Sequence, residues 1–203
     1  MSIAAVLGRL PYEGPDFHPG EVWLAGAGPG GLGCVTLDVL HALSIADAVV
    51  HDALVDPALV RAAPNASIHD VGKRGGAPST AQDDINDLLV ALAQEGKRVL
   101  RLKGGDPNLF ARGGEEALAL AQAGVPFRFF AGISSAFGAL ASIGMPATMR
   151  GINKAIILAT GHSAGEDDDI DWAALARTGQ PIIVYMGMSR LRRIAGALME
   201  GGL

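Results

Sequence analysis

The sequence predicts an α/β protein made of two α/β domains, the first of which is built on a mainly parallel sheet. Three observations lead to this fold class. Hydrophobic residues make up 49% of the 203-residue chain, which is enough to build one or two packed domains. Short apolar runs alternate with segments whose apolar residues recur at helical spacing. Glycine-rich segments directly follow several of the apolar runs, as ligand-binding loops follow strands in parallel sheets.

The first domain is predicted to span residues 21–131. Apolar residues between Ile85 and Leu92 recur on one face of a helix. Thr80 and Asp83 form a capping-box pattern at its start, and Gly96 predicts its end. The other predicted elements are strands over residues 22–25, 48–50, 98–103 and 125–130 and helices over residues 36–43 and 115–123. Because repeated alternation requires right-handed crossovers, we expect the strands to be mainly parallel, with ligand-binding loops at their C-terminal ends.

The two ends of the chain have different predicted characters. Residues 1–20 contain several prolines and glycines, which predicts a flexible or loosely attached extension. A Gly/Ser/Ala-rich stretch after residue 131 predicts a domain junction, and we assign residues 132–203 to the second domain. Its predicted elements are strands over residues 155–159 and 182–185 and a helix over residues 189–200. We expect this second domain to be small and incomplete.

Composition limits the compartment and the partners. Cys34 is the only cysteine, so no internal disulfide can form, and the first residues lack the pattern of a secretory signal. These two features predict a cytoplasmic protein. No run of about 18 uninterrupted apolar residues occurs, so we expect no membrane span. A net charge of -5 argues against a nucleic-acid partner. A local cluster could still attract an anionic small substrate, and the alternative is charge scattered over the surface. The candidates for this cluster are Lys73, Arg74, Arg101, Lys103 and Arg112.

The first glycine-rich segment, residues 26–31, fits the spacing GxGxxG after a predicted strand. Asp52 ends the next strand at roughly the distance of a ribose-binding acid, so a dinucleotide site is one interpretation. Pro29 removes a backbone donor from the turn, and Gly33 disfavours a helix directly after it. A tight turn with no ligand is a third interpretation of the same glycines.

The second glycine-rich segment, Gly104 to Pro107, is more informative about the ligand. Two glycines after an apolar strand allow a ligand to approach the main chain, and Asp106 adds a carboxylate. A carboxylate accepts hydrogen bonds from a hydroxyl or an ammonium group but repels a pyrophosphate. This favours a methionine-plus-nucleoside ligand over NAD, whereas the plainer alternative is a turn that caps a helix.

Three further charged positions are candidates for the chemistry. Asp52 and Lys73 stand at the ends of predicted strands, where a carboxylate and an amine can act as base and acid. Arg112 precedes two acidic residues and could bind a substrate carboxylate, although acidic residues also commonly begin a helix. No His, Cys and carboxylate spacing suggests a metal site.

Nine motifs occur in order along the chain. They are GAGPGG (26–31), HDALV (51–55), VGKRGG (71–76), RLKGGDP (101–107), RGGEE (112–116), AGISSA (131–136), GMPATMRG (144–151), ATGH (159–162) and YMG (185–187). This ordered set resembles the tetrapyrrole methylases, and most closely the members that methylate uroporphyrinogen III. The resemblance implies two α/β domains, a homodimer, and S-adenosyl-L-methionine as the methyl donor, held in a cleft between the domains. It also implies successive C-methylation of uroporphyrinogen III to precorrin-2, on the way to sirohaem or cobalamin.

The resemblance also implies roles for individual residues. Positions that match the family's cofactor contacts are Pro29, Gly104, Gly105, Asp106, Leu109, Ser134, Ser135 and Met186. Asp52 and Lys73 match the proton acceptor and the proton donor. Arg112 and Arg150 are our own assignment to the carboxylates of the substrate. The alternatives that stay open are methylation of another precorrin, a nucleotide-dependent (NAD or FAD) oxidoreductase, and a family member that binds ligand without turnover.

Overall fold

A computed structural model gives the structure of the chain and describes residues 2–72, 80–162 and 170–203. The chain divides into two compact units, which meet in sequence at Ser134 and Ser135. The predicted boundary followed residue 131. Lys73, one of the predicted catalytic residues, lies outside the described residues.

The first unit is built on a five-stranded sheet in which every strand pair is parallel. Its strands are β1 (Val22–Gly26), β2 (Ala48–His51), β3 (Ser67–Asp70), β4 (Val99–Lys103) and β5 (Phe127–Phe130). They lie in the order β3-β2-β4-β1-β5. Its helices are α1 (Ile3–Leu7), α2 (Leu37–Ile45), α3 (Pro57–Val60), α4 (Gln82–Gln94) and α5 (Gly113–Gln122), with a 3-10 turn at Leu32–Cys34. The predicted α/β class and parallel sheet are therefore confirmed.

Helices cover both faces of this sheet, so its central strands are buried on both sides. Residues of β1 and β4 alternate between two apolar clusters. One cluster contains Trp23 and Leu100 with side chains of α2 and α3. The other contains Leu24 and Val99 with side chains of α4 and α5. This arrangement explains why the strands read as continuous apolar runs, as strands of parallel sheets do.

Part of the N-terminal extension packs against the sheet. Phe17 is buried, and its ring stacks on Trp23 with the ring centroids 4.1 Å apart. On the other side Trp23 stacks on Phe130, also at 4.1 Å. Arg128 donates to the carbonyl of Asp16. The expectation of a loosely attached extension is therefore wrong for residues 15–17, because burying an aromatic ring in this stack fixes the chain there.

Helix α4 confirms one of its predicted signals and contradicts the other. Gly96 has a φ of 79°, the left-handed conformation that commonly ends a helix. At the other end the N-cap position is Ala81, which makes no side-chain capping hydrogen bond. The capping-box prediction for Thr80 and Asp83 is therefore wrong, because the helix begins one residue later than that pattern requires.

The second unit contains the helices α6 (Ser135–Ser142), α7 (Trp172–Ala176) and α8 (Leu191–Glu200), a 3-10 turn at Met188–Arg190, and the strands β6 (Ile157–Thr160) and β7 (Ile182–Tyr185). The two strands pair in parallel. A small core of Ala159, Trp172 and Ile194 lies between the strands and the helices α7 and α8. Among the described residues of the whole chain, no helix is both long and apolar enough to cross a bilayer.

Candidate functional site

Three loops of the first unit meet at the C-terminal edge of its sheet. They follow β4, β1 and β5, which are neighbours in the sheet. Gly28 and Gly105 exchange two backbone hydrogen bonds, of 3.2 Å from Gly28 N and 2.7 Å from Gly105 N. Ala27 N also donates to the carbonyl of Lys103 at 2.7 Å. The two glycine-rich loops predicted from the sequence therefore form one joined structure.

Close packing of backbone against backbone explains several glycines at this edge. A Cβ on Gly132 would overlap the carbonyl oxygen of Gly105 and lie 2.7 Å from the Cα of Gly26. A Cβ on Gly104 would lie 2.7 Å from the Cβ of Leu54. Real side chains do not approach this closely. The sequence predicts that Gly104 and Gly105 allow a ligand to approach, but each also has a reason to be glycine within the chain: Leu54 crowds position 104, and Gly105 has a φ of 71°.

The loop after β1 differs from a dinucleotide-binding loop. In such a site the glycine loop opens directly into a helix, whose N-terminus binds the pyrophosphate. Here the 3-10 turn intervenes, and α2 begins only at Leu37, where Thr36 caps it. The N–H of Gly28 is used by Gly105, and Pro29 has none to offer. This geometry does not support the NAD or FAD interpretation.

Asp106 is half-buried at the junction of the two glycine loops. Its Oδ1 accepts hydrogen bonds from the backbone N and the side-chain Nδ2 of Asn108, each at 2.8 Å. Leu109 N donates to the carbonyl of Asp106 at 3.3 Å, which tightens the turn. Among the described residues, none donates a hydrogen bond to Oδ2. One carboxylate oxygen therefore orients the side chain, and the other can accept a hydrogen bond from a ligand.

Asp52 lies at the same edge of the sheet, directly after β2. Its Oδ1 accepts a hydrogen bond from Leu54 N at 3.0 Å, and the residue is half-buried. In the β2–β4 register His51 is paired with Leu102, so Asp52 follows beside Lys103. The structure thus brings Asp52 close to the start of the Gly104 loop, as the sequence predicts for residues at strand ends.

A buried charge cluster, consisting of Arg101, Lys103 and Glu116, connects β4 to α5. Arg101 Nε and Lys103 Nζ both donate to Oε1 of Glu116, at 3.0 and 2.7 Å. Their side chains are 3%, 4% and 0% exposed. The expectation that Arg101 and Lys103 belong to a substrate-attracting cluster is wrong, because both are enclosed and paired. The missing information was the place of β4 between β1 and β2, since charges on such a central strand require buried partners.

Arg112 forms a two-pronged ion pair within its own loop. Its Nε and Nη2 donate to the two carboxylate oxygens of Glu115, at 2.8 and 2.6 Å. These hydrogen bonds raise the pKa of Arg112 and lower the pKa of Glu115. Arg112 has a φ of 59°, which is uncommon for a residue with a side chain. Its guanidinium keeps further N–H donors and is more than half exposed, so it can still meet an anion.

The remaining predicted residues are Ser135, Arg150 and Met186 of the second unit and Ser134, the last residue of the first. Ser135 and Met186 line one cavity of about 320 Å³, together with apolar side chains of α6 and β7. Tyr185 OH accepts a hydrogen bond from Ala136 N at 3.3 Å, which joins the two elements. Met186 has a φ of 51°, a strained conformation that often marks a ligand-binding position. Ser134 is buried, and Arg150 is exposed.

The part of the chain that the structure describes contains no group of three or more His, Cys, Asp or Glu side chains that could hold a metal ion.

Comparison with known proteins relates the chain to a family of methylases. The family model described as tetrapyrrole (corrin/porphyrin) methylases matches residues 21–203. Siroheme synthase 1 of Yersinia enterocolitica is 47% identical over 197 residues, which are 96% of this chain and 41% of that protein. Uroporphyrinogen-III C-methyltransferase of a Sinorhizobium species is 48% identical over 191 residues, covering 93% of this chain and 68% of that protein. The chain thus spans about two-fifths of the siroheme synthase.

A solved structure shows the same fold. The crystal structure of uroporphyrin-III C-methyl transferase from Thermus thermophilus, complexed with S-adenyl homocysteine, matches with a TM-score of 0.76. The two chains are 38% identical, and the match covers 90% of this chain and 77% of the other. The five-stranded parallel sheet and the edge with its glycine loops therefore belong to a fold that a methyl transferase uses.

Proposed function

Because the chain belongs to the tetrapyrrole (corrin/porphyrin) methylase family, we propose that it transfers methyl groups from S-adenosyl-L-methionine to carbon atoms of uroporphyrinogen III, giving precorrin-2. The observation that carries this proposal is Asp106, which is held by Asn108 at the junction of two joined glycine loops. Its second carboxylate oxygen suits an ammonium or a hydroxyl group and repels a phosphate. Relatives named for this reaction supply the substrate class.

Cofactor binding is assigned to two sets of residues. In the first unit we propose Pro29, Gly104, Gly105, Asp106 and Leu109. In the second we propose Ser135 and Met186, which line one cavity, and the preceding residue Ser134 is added from the first unit. The cofactor supplies a methyl group that its positively charged sulfur already activates. The protein's contribution is alignment, which in well-oriented reactions lowers the barrier by about 7–11 kcal/mol.

Proton transfer is assigned to Asp52 and Lys73. When a ring carbon forms its bond to the methyl group, the carbon–sulfur bond breaks and S-adenosylhomocysteine leaves. The ring then loses a proton, and Asp52 at the end of β2 is our candidate acceptor. Lys73 is our candidate proton donor. Arg112 and Arg150 are proposed to bind substrate carboxylates, Arg112 through the N–H groups that Glu115 does not use.

We also propose an oligomeric state and a cellular compartment. We expect a homodimer, which is supported by the many large apolar side chains that are exposed between residues 133 and 152. Light scattering after size-exclusion chromatography should give twice the mass of one chain, and a single-chain mass contradicts the dimer. We assign the protein to the cytoplasm, which cell fractionation can check.

Ligand binding tests the cofactor class. Isothermal titration with S-adenosylhomocysteine should give a binding isotherm, whereas NADH and FAD should give none. If NADH or FAD gives a heat of binding and S-adenosylhomocysteine gives none, the result contradicts the methyltransferase proposal and supports the oxidoreductase alternative.

Turnover tests the reaction. Uroporphyrinogen III incubated with methyl-labelled cofactor should become labelled, and mass spectrometry should show successive additions of one methyl group. If the homocysteine ligand binds but no label reaches uroporphyrinogen III, the same assay with later precorrins distinguishes another substrate from a family member without turnover.

A further inference from the structure

Lys103 lies next to two parts of the proposed site, which are Asp52 and the loop that begins at Gly104. It is the last residue of β4 and directly precedes Gly104. Its ammonium group is buried and donates to Glu116 Oε1 at 2.7 Å, and the same oxygen accepts from Arg101 Nε at 3.0 Å. In the β2–β4 register His51 pairs with Leu102, so Asp52, the residue after β2, lies beside Lys103.

The charges in the buried cluster do not balance without Asp52. Arg101 and Lys103 carry two positive charges, whereas Glu116 carries one negative charge. An uncompensated buried charge is costly, so a second carboxylate is required nearby. Asp52 follows β2 on the face of the sheet that Lys103 shares, because Val50 pairs with Arg101 and residues alternate along each strand. The Asp52 carboxylate accordingly stabilises the charged form of Lys103.

The donors of the cluster converge on one oxygen of Glu116. Arg101 Nε, Lys103 Nζ and Gln82 Nε2 all donate to Oε1, at 3.0, 2.7 and 3.5 Å. Because a charge-assisted hydrogen bond of 2.7 Å is short and directional, it fixes where the ammonium group of Lys103 lies.

We propose that Lys103 is a positioning residue for methyl transfer, because its ammonium, fixed by Glu116, attracts the Asp52 carboxylate and orients it at the edge of the sheet. This inference rests on the proposed function and extends it, since Asp52 is the candidate proton acceptor there. Lys103 is enclosed and is assigned no contact with the substrate. It acts through Asp52.

The charged groups that act on Lys103 define how it responds to pH. Burial and the positive charge of Arg101 on the same strand lower the pKa of Lys103. Glu116 of α5 and Asp52 after β2 oppose that shift, and Glu115 of α5 also interacts with Lys103. Helix α4 contributes the neutral amide of Gln82. Removing the Asp52 charge should therefore make Lys103 lose its proton at a lower pH.

A direct test follows the titration of Lys103 by NMR in chain labelled with carbon-13 at lysine Cε. The signal is assigned as the one missing from Lys103→Met. In Asp52→Asn the midpoint should move down by about one pH unit, the size expected of a neighbouring charge at partial burial. Asp47→Asn is the matched control, because Asp47 precedes β2 at the opposite edge of the sheet. It should leave the midpoint unchanged. An unchanged midpoint in Asp52→Asn overturns the proposal.

An activity test measures the consequence for the reaction. Lys103→Met should lower kcat about 100-fold, the loss that a displaced catalytic group can cause. Its affinity for S-adenosylhomocysteine should stay within about threefold of wild type, as for substitutions away from a binding site. Lys103→Arg should recover part of kcat and extend activity to higher pH, because arginine keeps its proton. An equal loss of affinity and kcat in Lys103→Met overturns the proposal.

Two outcomes keep this inference separate from the proposed function. If the wild-type chain methylates no tetrapyrrole, the proposed function fails, and the NMR titration still decides whether Lys103 and Asp52 are coupled. If the chain methylates and kcat is unchanged in folded Lys103→Met, as checked by circular dichroism, only the role of Lys103 fails.

Discussion

Asp106 uses its two carboxylate oxygens for different purposes, and this division can be tested with two substitutions. Oδ1 holds the turn through Asn108, and Oδ2 is proposed to meet the ligand. Asp106→Ala removes both, so affinity for S-adenosylhomocysteine should fall by about 10- to 100-fold, the value of a charged hydrogen bond of about 1.5–3 kcal/mol. Asp106→Asn keeps the turn acceptor but loses the charge. Isothermal titration measures both variants.

The controls for Asp106 separate the ligand contact from the turn. Asn108→Ala removes only the side-chain donor to Oδ1 and should weaken binding by less than either Asp106 variant. Unchanged affinity in Asp106→Ala counts against the assignment of this residue to the cofactor.

At the scale of single residues, sequence reasoning identifies local patterns better than buried partnerships. The glycines and the acid of residues 104–107 are adjacent, so their pattern can be read from one segment. The pairing of Lys103 with Glu116 joins residues on different elements. In the sequence, Glu116 cannot be told apart from an acidic residue that merely begins a helix. Only the three-dimensional position of β4, between β1 and β2, shows that its charges must be paired.

The packing of loops against one another at the sheet edge gives a prediction about elements. Gly132→Ala places a methyl group against the backbone of Gly105 and Gly26, which cannot move without displacing β1 and β4. We expect the free energy of unfolding to fall by about 2–3 kcal/mol, in the range of overpacking substitutions. Urea unfolding measures it.

Gly114→Ala is the matched control for this substitution. Gly114 lies in α5, and a Cβ there would meet no atom within 4 Å. Alanine favours a helix over glycine by up to about 1 kcal/mol, so this variant should be as stable as wild type or slightly more stable. Equal effects of the two alanines would show that space at the loop junction is not what requires Gly132.

At the N-terminal ends of the strands, an ion pair between Asp47 and Arg98 links β2 to β4, and its contribution to stability depends on pH. Asp47, before β2, accepts hydrogen bonds from the Arg98 backbone and guanidinium, all at 2.9 Å. These bonds lower the pKa of Asp47 to about 2. Because the folded-state pKa is below the ordinary value, the pair stabilises the fold above about pH 4. The stabilisation is lost as the pH falls towards 2.

Asp47→Asn should therefore reduce the free energy of unfolding at pH 7 by no more than about 1 kcal/mol, because both side chains are about one-third exposed and solvent screens the pair. Urea unfolding at pH 7 and pH 3 should show a smaller difference at pH 3. Glu95→Gln, which breaks the surface pair with Lys97, should have little effect at either pH. A difference that grows at pH 3 contradicts the sign of this linkage.

Among the elements, those with strong periodicity were predicted and those made of small residues were not. Helix α4 has an apolar face that includes Ile85 and Leu89, and it lies where the spacing placed it. Helix α6 (Ser135–Ser142) falls in the stretch that was predicted as a junction. Its sequence is rich in Ala, Gly and Ser, and only Ala136 is buried, so no apolar stripe distinguishes it from a loop.

For the whole molecule, composition predicted the class of protein and family resemblance predicted its chemistry. The balance of 49% hydrophobic residues fits two compact units, the larger of which has a sheet covered on both faces. Composition cannot distinguish a nucleotide-binding α/β protein from a methylase, because both use glycine loops at the same sheet edge. Asp106 favours a methylase already in the sequence, and the delayed start of α2, which only the structure shows, points the same way.

Ligand-dependent stability tests the function at the scale of the whole chain. A ligand that binds only the folded state at 100 times its Kd raises the free energy of unfolding by about 2.7 kcal/mol. For a protein of this size that corresponds to an increase in Tm of about 5–10 °C. S-adenosylhomocysteine should produce this increase in the wild-type chain, whereas NADH should not. Asp106→Ala should show a smaller increase at the same ligand concentration, since its Kd is higher. An increase in Tm with NADH, and none with S-adenosylhomocysteine, would instead support a dinucleotide site at the first glycine loop.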